Sequence, residues 1–323
     1  MRYIKFLTKA KPNSSRLGNK ASNLIKLIKA GIRVPNGFVV DTKSYKNFLY
    51  KTKLKKKLQY FFSKGYDVHD VLSISAKIKN LIVESNVPKK IRSRVEKAYN
   101  KIISMNEIKP KFVIRSSSTF EDSKDFSFAG QAESYLNRSS FEDILLSIKN
   151  CWASLFSPQT LLYLLQLKKK NYKISPLNLE IAIIIQQMIE AQVSGVLFTA
   201  NVINNNQNQI LINSTWGLGD TITGGTIIPD SYILSKKEFE ILKHKIGEKS
   251  KISVPDDNTS STRLIETNPE LKKESSLTNI QLKQLFDLGN TIEKLFNYPQ
   301  DIEWAFDKGI LHTLQSRPIT TIK

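Results

Sequence analysis

Cysteine is nearly missing from this chain. Cys151 stands alone, which excludes an internal disulfide and a cysteine-rich zinc site. No apolar run reaches the roughly 18 residues that suggest a transmembrane helix. The first 15 residues lack a long apolar core and a small-residue cleavage site, which argues against a secretory leader. No Walker A loop, helix-turn-helix, RNA-binding aromatic motif or tandem repeat stands out. Together these absences lead us to expect a cytoplasmic protein with no membrane association.

Acidic residues are also scarce. Twenty-nine Asp and Glu face 49 Lys and Arg, a formal net charge of +20. That balance would suit a nucleic acid or an anionic surface. The lysines, however, are spread along the chain, with short clusters only at 51–57 and 168–170, and far outnumber arginine. This is the pattern of solvated faces in an AT-rich coding sequence, and it argues against nucleic acid as a partner.

The 323 residues allow two domains or one two-lobed domain, at about 100–200 residues each. With 40% hydrophobic and 24% charged residues, the chain can bury a core. Hydrophobic spacing predicts a helix through Ala21, Leu24, Leu27 and Ile28 that ends at Gly31. Lysine-rich amphipathic segments follow at 42–63, 68–84 and 89–105, with further helices at 141–156, 158–167 and 280–296. Strands are expected at 38–40, 112–114, 193–199, 209–213 and 231–234. The run 179–188 is a buried strand or a helix, and its β-branched residues favour strand. Residues 249–279 are polar and predict a long loop or irregular strands. A hairpin is expected at 302–315 around Asp307-Lys308-Gly309. The fold class is α+β, helical in its first part and richer in strand in its second.

Five segments carry candidate chemistry. Leu17-Gly18-Asn19-Lys20 opens a helix, where free N–H groups, the dipole and an ammonium would hold an anion; an ordinary glycine turn with a surface lysine is the alternative. A strand delivers Arg115 to a run of hydroxyls, Ser116 to Thr119, and a guanidinium grips phosphate oxygens in pairs; a salt bridge to Glu121 or Asp122 is the alternative. Ser127-Phe128-Ala129-Gly130-Gln131, followed by Ser134, would let backbone amides approach a phosphate. Thr215-Trp216-Gly217-Leu218-Gly219-Asp220 reads as a mobile flap or as a plain turn. On the terminal hairpin, Asp301 and Glu303 share a face, with Gln315 and Arg317 on the partner strand. A carboxylate and a carboxamide oxygen suit Mg²⁺ beside phosphates, and cross-strand salt bridges are the alternative.

In their order along the chain, these segments resemble the N-terminal ATP-binding domain shared by phosphoenolpyruvate synthase, pyruvate phosphate dikinase and rifampin phosphotransferase. The likeness extends through Val34-Pro35-Asn36-Gly37-Phe38, Cys151-Trp152-Ala153-Ser154-Leu155-Phe156, Gln186-Gln187-Met188, Ser194-Gly195-Val196-Leu197-Phe198-Thr199, Pro229-Asp230, Asp301-Ile302-Glu303-Trp304-Ala305 and Leu314-Gln315-Ser316-Arg317-Pro318. It departs at Asn201-Val202, where Asp-Pro is common, at Asp220, where glutamate is common, and at Ser134, where threonine is usual.

The resemblance implies an ATP-grasp-like two-lobed fold, divided on our reading into 1–178 and 179–323. It implies that Lys20 and Arg115 bind phosphates, that Gly130 and Ser134 cover them, and that Gln186 to Met188 line the adenine pocket. Glu303 and Gln315 are implied Mg²⁺ ligands, with Arg317 on a phosphate; Lys20, Arg115 and Arg317 are the implied catalytic residues. In these families the phosphoryl group passes from ATP to a histidine on a separate swivelling domain, and in the synthase and rifampin enzymes ATP yields AMP and phosphate. His69, His244 and His312 do not sit in a glycine-rich Thr-Ser-His carrier segment, so a partner domain is expected to supply that histidine. The expected function is an ATP-dependent phosphotransferase of the phosphoenolpyruvate synthase type. An antibiotic phosphotransferase subunit and a non-catalytic ATP sensor are the alternatives.

Overall fold

A computed structural model of the chain describes residues 3–119, 134–170, 172 and 175–322. The chain divides into two compact units, one of Met1–Ile25 and Asn36–Gln187, the other of Lys26–Pro35 and Met188–Lys323. The α+β class holds throughout.

The first unit contains β1 (Ile4–Phe6), most of α1 (Ser14–Lys29), β2 (Gly37–Val40), α2 (Thr42–Lys51), α3 (Leu54–Ser63), α4 (Val71–Glu84), α5 (Lys89–Ile103), β3 (Phe112–Ser118), β4 (Ser134–Arg138), α6 (Phe141–Ala153), α7 (Pro158–Lys169) and β5 (Ile181–Gln187). Its strands form an antiparallel sheet in the order β1-β2-β5-β3-β4. The central β5 is buried on both faces, and each of its four isoleucines contributes about 1.5–3 kcal/mol by burial. Alternation sends Ile181, Ile183 and Ile185, with Phe38, Val40, Phe112 and Ile114, into the core packed by the helices. In that core Trp152 of α6 stacks on Phe48 of α2 with ring centroids 4.6 Å apart. Ser140 and Asp143 close a capping box at the start of α6, and Ser157 caps α7 ahead of Pro158.

The second unit carries β6 (Val193–Phe198), β7 (Gln209–Trp216), the one-turn α8 (Asp220–Thr223), β8 (Asp230–Ser235), β9 (Ile241–Lys245), β10 (Lys251–Asp256), β11 (Ser261–Glu266), α9 (Pro269–Lys273), α10 (Asn279–Phe296), β12 (Gln300–Asp307) and β13 (Ile310–Pro318). Six strands form an antiparallel sheet in the order β13-β12-β6-β7-β8-β9. β10 and β11 pair separately as a hairpin, where the polar composition had suggested a loop or irregular strands. Helix α10 starts with a Thr278/Gln281 capping box and packs on β6, with Gly289 against Leu197 and Thr199.

The residue-based division at 178/179 does not coincide with these units. β5 is hydrogen-bonded to β2 and β3 on its two sides, so it belongs to the first unit, and the main segment of the second begins at Met188. Residues 26–35 join the second unit, where the Arg33 carbonyl accepts the Thr313 N–H at 2.9 Å along the outer edge of β13. The segment 42–63 is two helices, because Lys53 adopts a left-handed φ of 59°.

Candidate functional site

In the first unit the candidate residues gather on the sheet face opposite the helical core. Arg115 of β3 lies across from Ser134 of β4 and from Ile184 of β5, and Gln186 lies across from Val113. Residues directly opposed on paired strands share a face, so Arg115, Ser117, Ser134, Ile184 and Gln186 lie on one side. The start of α1 lies on that side too. Gly18 breaks the helix with φ 74°, and a Cβ there would lie 2.1 Å from the Ser117 carbonyl oxygen. The helix resumes with Asn19 and the buried Lys20, and the Ala21 N–H donates to Ser117 Oγ at 3.1 Å. The glycine turn at 17–20 is thus docked on the strand that carries Arg115. Arg16, just before it, pairs with the fully buried Asp41 through Nη2 at 2.6 Å and Nε at 2.8 Å. Gln187 donates its carboxamide to Asn106 at 2.8 Å. Gly130, the segment around it, Glu121 and Asp122 lie outside the described residues.

In the second unit the terminal hairpin turns through Lys308 and Gly309, both with positive φ. From that turn Asp307 opposes Ile310, Ala305 opposes His312 and Trp304 opposes Thr313. The register then shifts by one residue, a bulge at Leu314, so that Glu303 opposes Gln315 and Asp301 opposes Arg317. Gln315 donates to Glu303 Oε1 at 3.3 Å, and Arg317 Nε donates to Asp301 Oδ2 at 2.8 Å. The cross-strand salt bridge considered as an alternative therefore forms at Asp301–Arg317, whereas Glu303–Gln315 is a carboxylate beside a carboxamide. Val196 and Asn213 continue the row of Glu303 across β6 and β7, with Ser194 and Thr215 in the next row. Met188 is buried at the entry to this unit.

This donor set fits a hard divalent cation. Half a turn of the Gln315 carboxamide would present its oxygen beside the Glu303 carboxylate, the few protein oxygens that Mg²⁺ takes alongside phosphates. Among the described residues no group of three or more His, Cys, Asp or Glu could hold a metal.

The sequence profile of the pyruvate phosphate dikinase AMP/ATP-binding domain matches residues 14–323. The chain belongs to that family. Curated relatives agree. A probable phosphoenolpyruvate synthase of Methanocaldococcus jannaschii is 36% identical over 95% of this chain and 26% of its own length. The phosphoenolpyruvate synthase of Pyrococcus furiosus is 32% identical over all of this chain and 44% of its own length. A Bacillus subtilis protein named as an uncharacterized phosphotransferase is 31% identical over 99% of this chain and 35% of its own length. The chain thus spans less than half the length of each.

Two features of this family member escape residue-by-residue reading. The first is Ser117, whose hydroxyl also donates to the Leu17 carbonyl at 2.8 Å. Alternation from Arg115 along β3 is the one sequence signal that could have placed it. The second is Asp220, which departs from the commoner glutamate after Gly217-Leu218-Gly219. Its Oδ2 accepts from Ser253 Oγ at 2.9 Å and Thr262 Oγ1 at 3.2 Å, one from each strand of the β10–β11 hairpin. The Leu218 N–H also donates to the Ser253 carbonyl at 3.0 Å. The glycine segment read as a flap or a turn is therefore fastened to that hairpin.

His69 is exposed in a turn, and His244 stacks on Tyr232 with centroids 4.4 Å apart. His312 is half-buried, and its pKa is lowered by desolvation and then by Arg33, with Asp307 opposing. Among the described residues no helix is long and apolar enough to cross a membrane.

Proposed function

We propose that the chain is the Mg·ATP-binding kinase module of a phosphoenolpyruvate synthase-type phosphotransferase, passing a phosphoryl group to a histidine on a domain outside these 323 residues. One observation carries the reading most directly. The bulged register of β12 and β13 puts a carboxylate and a carboxamide side by side, with a guanidinium in the neighbouring pair. Family membership supports ATP as the ligand, and the names of the relatives support the synthase reading over the antibiotic alternative.

In this reading the nucleotide takes its ligands from the residues that the resemblance implies. Lys20 and Arg115 bind phosphate oxygens, Gly130 and Ser134 cover them, and Gln186 with Met188 receives the base. Glu303 and Gln315 hold Mg²⁺, which would supply charge neutralisation on the phosphates. Arg317, oriented by Asp301, adds positive charge where negative charge builds up as the phosphorus–oxygen bond breaks and an imidazole nitrogen bonds to phosphorus. Catalysis is then positioning and electrostatics, without a nucleophile from this chain.

Calorimetry with ATP, with and without Mg²⁺, tests the reading. Wild-type chain is expected to bind ATP more tightly with the metal, and Glu303→Ala to lose that difference. No binding at millimolar nucleotide would overturn the kinase reading. Unchanged metal dependence in Glu303→Ala would remove Glu303 from the metal.

A further inference from the structure

We propose that Ser117 is a positioning residue for the phosphate end of the nucleotide, acting through Lys20; this rests on the Mg·ATP reading above. Ser117 is fully buried, and its one hydroxyl makes two hydrogen bonds across the break in α1. It donates to the carbonyl of Leu17, before Gly18, and accepts from the N–H of Ala21, after Lys20. The three residues between those anchors, Gly18, Asn19 and Lys20, are held as a short arch against β3. Gly18 has no room for a side chain there, because a Cβ would meet both the carbonyl and the hydroxyl oxygen of Ser117.

The physical consequence concerns Lys20. A lysine ammonium is a point charge on a flexible four-carbon stem, so its aim depends on where the backbone plants that stem. The arch fixes that origin. The first N–H groups of a helix have no intrahelical acceptor and need one from elsewhere. Here the acceptor comes from a strand distant in sequence and not from the helix's own N-cap side chain. That strand carries Arg115 two residues earlier on the same face. Ser117 thus ties Lys20 and Arg115, the two candidate phosphate-binding cations of the first unit, to one frame. Ser116 and Ser118, on the opposite face by alternation, cannot take this part.

A coupling experiment tests this. Mg·ATP and adenosine affinities are measured for wild type, Ser117→Ala, Lys20→Met and the double variant, by calorimetry for ATP and ligand-observed NMR for adenosine. Ser117→Ala is expected to weaken Mg·ATP roughly three- to tenfold, the range of about one net hydrogen bond, and to leave adenosine affinity unchanged. In the Lys20→Met background the same change is expected to have no further effect. A merely structural role would lower adenosine and ATP affinity alike and would persist without Lys20; either result overturns the proposal. If wild type binds no Mg·ATP, the nucleotide reading itself falls and takes this one with it. Should Ser117→Ala fail to fold, Ser117→Cys keeps the side chain's shape with a weaker donor, and is compared with Lys20→Met by the same criteria.

Discussion

Replacing Lys249 with methionine is expected to destabilise the second unit by about 3–5 kcal/mol, the range for removing one partner of a buried ion pair. Lys249 and Asp230 are both fully buried, with Nζ 2.6 Å from Oδ1. The ammonium also donates to the carbonyls of Gly247 at 3.0 Å and Lys272 at 3.3 Å. The carboxylate accepts the Gly247 N–H on Oδ1 and both the N–H and the hydroxyl of Ser276 on Oδ2. One pair therefore fastens the start of β8, the 247–249 loop, the end of α9 and the residues leading into α10. Methionine keeps most of the length and the apolar stem, so the loss is chiefly electrostatic. Asp230 would retain three hydrogen bonds but no countercharge, and two carbonyls would lose a donor. Adding Asp230→Asn to Lys249→Met removes the uncompensated charge and is expected to restore part of the stability. Urea unfolding followed by tryptophan fluorescence measures this. Trp216 and Trp304 lie in the second unit and Trp152 in the first, so a Trp152→Phe background reports on the second unit. A loss below about 1 kcal/mol, ordinary for any substitution, would refute the reasoning, as would a double variant no more stable than Lys249→Met alone.

Three further outcomes are expected. Arg317→Ala is expected to weaken Mg·ATP binding by about 1.5–3 kcal/mol if the guanidinium makes a charge-assisted phosphate contact, and an unchanged affinity by calorimetry would confine Arg317 to its pair with Asp301. His312 has a folded pKa below the ordinary 6.5, so as the pH falls below that value the unfolded chain takes up a proton that the folded chain resists, and stability declines. Above that range both states are neutral and the contribution is flat; His312→Gln is expected to flatten the decline, and an identical stability–pH profile would count against it. Mixed with a domain carrying a family-type carrier histidine, the chain is expected to convert ATP and water to AMP and inorganic phosphate, with the other phosphoryl group left acid-labile on that histidine. Efficient transfer to a small acceptor by the chain alone would contradict the carrier step.

Long periodic segments were legible because many residues share their pattern. Helices α4, α5 and α10 lie close to where their apolar spacing puts them, and β-branching correctly favoured a strand for β5. The elements that were not foreseen are short or locally ambiguous. β1 has three residues, too few to show alternation. β4 has five and is largely unburied, so it lacks a strong apolar signal. The break between α2 and α3 rests on a left-handed lysine, a conformation that its residue type does not advertise. In β10 and β11 the polar composition conceals a hairpin held in part by hydroxyls on Asp220, a tertiary contact invisible to local pattern.

The terminal hairpin shows most clearly how a candidate site can be partly legible. The residue types alone suggested that Glu303, Gln315 and Arg317 belong together, and strand alternation put Asp301 on the side of Glu303. Simple counting from the turn does not complete the arrangement. With Asp307 opposite Ile310 and no irregularity, Glu303 would oppose Leu314, and Gln315 and Arg317 would lie on the other face. The single extra residue at Leu314 reverses that parity. It moves Gln315 opposite Glu303 and Arg317 opposite Asp301, so that these four polar side chains share one face of the strand pair. Above the bulge, Trp304 remains fully buried, and below it Ile302 does too, so the core side of β12 is undisturbed. The bulge thus changes which β13 side chains face the site while leaving the packing of β12 intact. Such a shift follows from how the strands settle on their neighbours, so composition and spacing could nominate the residues but could not bring them face to face.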